Sequence, residues 1–381
     1  MLCRRVHGVR RTAGDNELPP YPSKPMWSSS RKRRIWRLSD NGDKAPGAGK
    51  ARARLLAGLL ASGVCLVLLL WNVDWARFWA ALEGADYWWL IPAVATVGLD
   101  VWVKVLKWQM LLLPLGKVSR VNLLYSTTVG YLVNTVLPGR LGELARTYML
   151  ARIERVSAVA VLSTVALDRI LDVVAVALLL AIVLPSTDLP PWVAQSGLLV
   201  GAGGLGLLVL CMLLAYPRWR ALLLRALAAA PGFPGKGLIE KWAEALCLGM
   251  EGLKGGAALA RIATATAAIW LMTVATAYLS QLAFHIQAPI WAAALVVAVT
   301  NLGMVVPSSP GYVGVYHYLV VLALSAFGVE RELALGYAVV FHLAWLLPVC
   351  LVGVFGLWRR GLTLMGWREL GQPVQSVDSI E

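Results

Sequence analysis

Apolar residues fall in long runs along most of the chain, at about 55–73, 87–106, 158–184, 193–216, 262–283 and 334–358. A helix needs about 20 mostly apolar residues to cross the hydrocarbon layer of a bilayer, so each run predicts a spanning helix. Two further stretches, 121–137 and 290–326, are apolar but interrupted by polar residues and a Pro-Gly step. Basic segments should face the cytoplasm, and that rule decides which stretches cross. The link 74–86 carries Asp74, Glu83 and Asp86 against Arg77 and is expected outside. Lys104, Lys107, Lys117 and Arg120 return the chain to the inside; the link 185–192, with Asp188 and no basic residue, lies outside again. The stretch 217–261 has seven basic residues and the C-terminal segment holds Arg359, Arg360 and Arg368, so both are expected inside.

This bookkeeping holds only if the two interrupted stretches turn back. If 121–137 crossed, Arg140, Arg146, Arg152 and Arg155 would face outward and every later loop would invert. The expected fold is therefore an all-α polytopic membrane protein. It has about six spanning helices and two re-entrant broken-helix hairpins of opposite orientation, in the manner of an inverted repeat. The first hairpin reads Asn134-Thr-Val-Leu-Pro138-Gly139-Arg140-Leu-Gly142-Glu143, and the second Val306-Pro307-Ser-Ser-Pro310-Gly311-Tyr312-Val-Gly314-Val315. Both contain P-G-x-x-G, and each follows an Asn, Asn134 or Asn301, in the same leg. Backbone broken at mid-membrane depth is tolerated where it is buried in protein or lines a wet cavity. Matching breaks in two halves point to a transport site.

Composition agrees. The 381 residues are 59% apolar and 15% charged, against about 45–50% and 25% in soluble domains, yet the net charge is +14. Residues 1–54 hold 14 Lys/Arg against 4 Asp/Glu, and residues 55–381 hold 21 against 17. The basicity is a tail ahead of a nearly neutral body, which argues for orientation in a membrane and against nucleic-acid binding. The tail composition cannot bury a core. Its Arg31–Arg34 run either attracts anionic lipid or fixes topology as a solvated segment. Met26 is an alternative initiator to Met1. The first apolar run starts too far in for a cleavable signal peptide and reads as a retained helix. Cys3, Cys65, Cys211, Cys247 and Cys350 are scattered, without disulfide or zinc spacing. The 17 Trp suit interfacial belts.

The 158–184 run carries Asp168, Arg169 and Asp172 near its middle. Left uncompensated, three such charges cost on the order of 7–10 kcal/mol, so partners or water must be present. Asp168 and Asp172 share a helix face, and Arg169 is expected to meet Glu143. The group either receives a charged headgroup or locks the hairpin in place. Arg140, Glu143 and Arg146 follow the first break; Glu143 and Arg146 are close enough to pair, and Arg suits phosphate. His317 follows the second break and His342 lies in the last run, as packing residues or as a proton relay. Asp100 and Lys104 read as a structural i, i+4 pair at a helix end, and the stretches 218–229 and 238–253 as interfacial amphipathic segments. Gly201-Ala-Gly203-Gly-Leu-Gly206 lies inside a spanning run and suits close helix packing rather than dinucleotide binding. No metal-ligand spacing or nucleotide motif is present, so no metal and no cofactor are expected.

The run Gly130-Tyr-Leu-Val-Asn134-x3-Pro138-Gly139-Arg140-x-Gly142-Glu143-x2-Arg146 resembles the membrane domain of lysylphosphatidylglycerol synthases and their stand-alone, flippase-like relatives. Leu167-Asp168-Arg169-x2-Asp172 and Pro307-x2-Pro310-Gly311-x2-Gly314 extend the resemblance over about 120–360. This chain has Tyr312 and His317 where that family usually has Gly and Glu, and His342 where it usually has Arg. No aminoacyl-transferase domain is expected after residue 366. The resemblance implies the lipid-translocating half alone, in a bacterial plasma membrane with both termini cytoplasmic. The candidate substrate-binding residues are Asn134, Arg140, Glu143, Arg146, Asp168, Arg169, Asp172, Asn301, His317 and His342. The hairpin breaks are Pro138, Gly139, Gly142, Pro307, Pro310, Gly311 and Gly314. The domain expectation is a 1–54 tail, a 55–366 membrane domain and a 367–381 tail. Non-enzymatic translocation of a phospholipid or polyprenyl-linked lipid is the leading expectation. The alternatives are headgroup chemistry with Asp168, Asp172 or His317 as acid/base, or a scaffold for an envelope-lipid pathway. Partners are a lipid substrate, an anionic lipid surface against the tail, and a second copy or a pathway protein.

Overall fold

The computed structural model describes residues 48–137, 141–186, 191–216, 218–219, 221–222, 225, 243–244, 247, 249–304 and 308–359. The basic tail to residue 47, Pro138, Gly139, Arg140, Pro307, Asp188, most of the two amphipathic stretches and the chain from Arg360 on lie outside these residues. The described residues form eleven α-helices and no strand. They are α1 (Ala48–Leu70), α2 (Trp75–Glu83), α3 (Leu90–Leu112), α4 (Arg120–Val136), α5 (Gly142–Glu154) and α6 (Ala158–Val183). There follow α7 (Pro191–Ala215), α8 (Gly256–Ala283), α9 (Ile290–Gly303), α10 (Val315–Ser325) and α11 (Arg331–Arg359).

Among the described residues, three helical segments are long and apolar enough to cross a membrane: Tyr87–Leu115, Gly256–Ala283 and Arg331–Arg359. A fourth is added if α1 and α2, which meet at an 89° bend, are counted as one broken span. Asn72 at positive φ makes that bend, and Asp74 starts α2 by accepting from the N–H groups of Ala76 and Arg77. Of the other two expected spans, α6 is 26 residues long but holds three charged residues near its middle, and α7 runs for 25 residues. The helices of the two interrupted stretches are short: 17 and 13 residues for α4 and α5, 14 and 11 for α9 and α10. At 1.5 Å per residue these reach roughly 17–26 Å, less than the about 30 Å hydrocarbon layer.

Each interrupted stretch folds back on itself, α4 against α5 and α9 against α10. The feet of the first hairpin are tied together. Glu154, at the end of α5, accepts from the Ser119 N–H (3.1 Å) and from Asn122 Nδ2 (2.7 Å) at the start of α4. At its tip, Asn134 Oδ1 accepts from the Gly142 N–H at 2.7 Å, satisfying a donor that α5 itself leaves free.

The helix contacts come in matched sets. α3 lies along α8. α4 meets α11 as α9 meets α6, and α5 meets α6 as α10 meets α11. α3 with α4 matches α8 with α9, α3 with α6 matches α8 with α11, and α3 with α11 matches α8 with α6. Exchanging α3–α6 for α8–α11 maps these contacts onto one another. The largest buried apolar cluster lies mainly on the second set, around Leu295, Val320, Tyr337 and Ala338. A second cluster lies mainly on the first set, around Trp108, Leu150, Val161 and Leu167.

Small residues let the elements approach. A Cβ on Gly142 would lie 2.0 Å from the Gly130 carbonyl oxygen and 2.6 Å from Asn134 Cγ, so the legs of the first hairpin touch backbone to backbone. Gly353 and Gly356 admit α4 to α11 at Thr128 and Tyr125. In α7, Gly201 and Gly204 face Ala177 and Val173 of α6, the close packing expected of that glycine run, while Gly203 and Gly206 face open space. Gly142→Ala is expected to destabilise the protein by about 1–3 kcal/mol through overpacking. Gly203→Ala should stay within about 0.5 kcal/mol of the parent. Thermal unfolding in detergent compares the two.

Candidate functional site

Ionised side chains of α3, α5 and α6 gather in one place. Lys107 of α3, 1% exposed, places Nζ 2.8 Å from Asp168 Oδ1 and 3.0 Å from Asp172 Oδ1, bridging the two carboxylates that share a face of α6. Arg146 of α5 reaches the other oxygen of Asp168 at 3.2 Å and lies over the Trp108 ring, 4.9 Å from its centroid. Arg169 points the other way and meets Glu143 at 3.4 Å and Asp172 at 3.4 Å. Lys104, one turn before Lys107, holds Asp100 at 2.7 Å. The network therefore has four cations (Lys104, Lys107, Arg146, Arg169) and four anions (Asp100, Glu143, Asp168, Asp172). A buried charge is tolerated when paired and hydrogen-bonded, and this balance explains how α6 accommodates three of them.

Beside the network lies a cavity of about 180 Å³, room for several waters or a phosphate-sized group. It sits where the two hairpins approach each other. Lys104, Asn134, Glu143, Arg169 and Asp172 line it from the first half, and Asn301, Tyr316 and His342 from the second. Asn134 Nδ2 faces Glu143 at 3.4 Å, and Asn301 Nδ2 donates to the Val297 carbonyl at 2.8 Å. Arg169, with 40% of its side chain exposed and only long contacts to its carboxylates, is the cation best placed to take a ligand anion by bidentate bonds. The Trp270 indole N–H, also lining the cavity, has no partner among the described residues.

The second break is tight. Gly311, Tyr312 and Gly314 all have positive φ (67°, 58° and 92°), a region that favours glycine. Gly314 faces the Ser62 carbonyl of α1, and the Ser309 N–H donates to Ser62 Oγ at 2.7 Å. On the helices that follow, the rings of His317 and His342 sit 5.2 Å apart, and His342 stacks on Tyr316 at 4.4 Å.

Of the candidates read from the sequence, Asn134, Glu143, Arg169, Asp172, Asn301 and His342 share the cavity wall. Arg146, Asp168 and His317 stand behind it. Arg169 does meet Glu143. The expected Glu143–Arg146 pair is not formed, because Arg146 turns to Asp168 and Trp108. The Asp100–Lys104 pair lies in the middle of α3 rather than at a helix end, since α3 continues to Leu112. For the same reason Lys104 and Lys107 are not loop residues: Lys107 is a buried partner of α6 and Lys104 is half-buried in the cavity wall, which leaves Lys117 and Arg120 as the basic residues of that turn. Two lysines three apart inside an apolar run, opposite a run with two aspartates, were the signal for them. Among the described residues no group of His, Cys, Asp and Glu could hold a metal ion.

An all-helical protein with several membrane-length helices and a charged cavity between two folded-back hairpins is a multi-pass membrane protein. Residues 55–353 match the family described as the lysylphosphatidylglycerol synthase TM region, and the chain belongs to that family. No curated protein matches the chain.

Removing the Lys107 ammonium leaves two buried carboxylates short of a partner. Lys107→Met is expected to destabilise the protein by about 3–5 kcal/mol. Lys107→Met/Asp172→Asn removes one charge of each sign, leaves Asp168 with Arg146, and should recover part of the loss. Melting of the purified variants in detergent reads both.

Proposed function

We propose that the chain translocates a lipid across the bacterial plasma membrane, its headgroup held in the cavity between the hairpins. The carrying observation is a cavity lined by exposed-edge Arg169 and by Lys104, Glu143 and Asp172, built between two helix pairs too short to span. Charges at this depth mark a substrate path, and broken helices from two repeats meeting at one cavity are the arrangement of a carrier. The anionic part of the headgroup pairs with Arg169, and the acyl or prenyl chain stays in the bilayer.

In this reading six helices span, the hairpins enter from opposite sides, and both termini are cytoplasmic. The basic tail rests on anionic lipid. The match of α3–α6 with α8–α11 supports an inverted repeat, and the charge balance of the loops supports the orientation. The substrate is a phospholipid or polyprenyl-linked lipid, moved without chemical conversion. Asp168 is paired with Lys107 and Arg146, and Asp172 with Lys107 and Arg169, which favours movement over acid–base chemistry on the headgroup.

In proteoliposomes with labelled phospholipid, Arg169→Ala is expected to slow transbilayer movement about 10-fold or more, the worth of one hydrogen bond to a charged group; an unchanged rate would sink the site assignment. Mass spectrometry of the same lipids should find redistribution without a new species. For the topology, cysteines at positions 120 and 155 should be labelled from the cytoplasmic side only, and label entering from outside would refute the orientation.

A further inference from the structure

In the first half, the wall between α5 and α6 is closed by an ion pair, Glu143 to Arg169. The matching helices of the second half, α10 and α11, bring two histidines together instead. His317 is 9% exposed and His342 7% exposed, and the buried Nδ1 of His317 has no hydrogen-bond partner. His342 also lines the cavity, stacked on Tyr316. With all eight charges of the network ionised the sum is zero, so one proton added to this pair makes the cavity singly positive.

We propose that His317 and His342 form a proton-binding site that takes up one proton as a unit and so switches the cavity between neutral and singly positive. The proton adds to a ring nitrogen of one histidine, and no other bond forms or breaks. The second ring then resists a second proton: at about 5 Å and an effective dielectric of about 20, two such charges repel by roughly two pH units. The acids and bases that share the cavity with His342 are Lys104 from α3, Tyr131 from α4, Glu143 from α5, and Arg169 and Asp172 from α6. Tyr312 and Tyr316 complete that wall. Tyr278 of α8 and Tyr337 of α11 pack in the same apolar cluster as Tyr316. α9 offers no acid or base, α1 from Gly58 onward offers Cys65, and Asp74, Arg77 and Glu83 of α2 lie by the far end of α11. None of these is within hydrogen-bond distance of His317 Nδ1. A positive charge here would strengthen capture of an anionic headgroup, so the site supplies the ion coupling that the transport reading leaves open and rests on that reading for its use.

The test does not depend on transport. The full chain, labelled with ¹⁵N-histidine and placed in lipid nanodiscs, is titrated by NMR, and the signals are assigned by their loss in His317→Gln and His342→Gln. The two rings should titrate in two steps separated by about two pH units, and each single variant should leave one step at a shifted position. Independent titration, unaltered by loss of the neighbour, would overturn the proposal, as would rings that stay silent between about pH 4 and 9. Should His317→Gln fail to fold, His342→Gln and His317→Asn read the same coupling. In proteoliposomes, an imposed pH gradient should change the rate of labelled-lipid movement, and the ratio of rates with and without it should fall to one in both variants. Absence of any lipid movement counts against the transport reading, whereas the ring titration decides the proton site.

Discussion

A lysine ammonium buried between two carboxylates sets the terms on which this molecule folds. Taking an ion out of water costs several kcal/mol even after relaxation, and in an apolar layer no solvent is at hand to offset it. Lys107 on α3 is acceptable only with α6 beside it, and the three charges of α6 are acceptable only with α3 and α5 in place. The first hairpin is therefore held against α6 by charge balance as much as by packing. That requirement brings Glu143 and Arg169 to the edge of the cavity, where a ligand can reach them. Removing any one member disturbs the neutrality of the rest, so site and scaffold are a single electrostatic object.

Much of the architecture could be read along the chain because membrane helices announce themselves by length. The apolar runs fall on observed helices, and the two Pro-Gly interruptions fall where the chain folds back. Asp168, Arg169 and Asp172 were conspicuous because charge inside an apolar run is costly. Lys104 and Lys107 were not, because charge counting treats a lysine near the end of an apolar run as a loop marker. Nothing in one dimension told that α3 continues past residue 106. The role of Arg146 was hidden for a related reason: spacing along α5 suggests Glu143 as its partner, whereas its actual partner lies 22 residues away on another helix. Gly142 could be recognised as part of a motif, but the reason for it, contact with the Gly130 carbonyl, is a property of two helices together.

The two halves share a plan and differ in chemistry. Contacts made by α3–α6 recur in α8–α11, yet the first half concentrates the ionised residues and the second concentrates aromatic rings and histidines. Tyr316, His317, Tyr337, Phe341 and His342 form one run of ring contacts. One wall of the cavity is thus set by fixed charges and the other by polarisable rings. A ligand between them meets a strongly polar surface on one side and an adaptable one on the other.

The helix α1 has no part in the exchange between halves, and its described hydrogen bonds brace the second. Ser62 accepts the Ser309 N–H, Gly314 lies against Ser62 and Leu66, and Arg331 donates to the carbonyls of Leu68 and Leu69 at the end of α1. The first hairpin is instead secured to α6 by ion pairs, of which Glu143 to Arg169 faces the cavity. The two therefore soften under different conditions. Water entering the cavity competes directly with the bonds of Glu143 and Arg169, whereas none of the struts from α1 involves a residue of the cavity wall. A guest in the cavity would therefore disturb pairs that hold the first hairpin and leave in place the ties that hold the second.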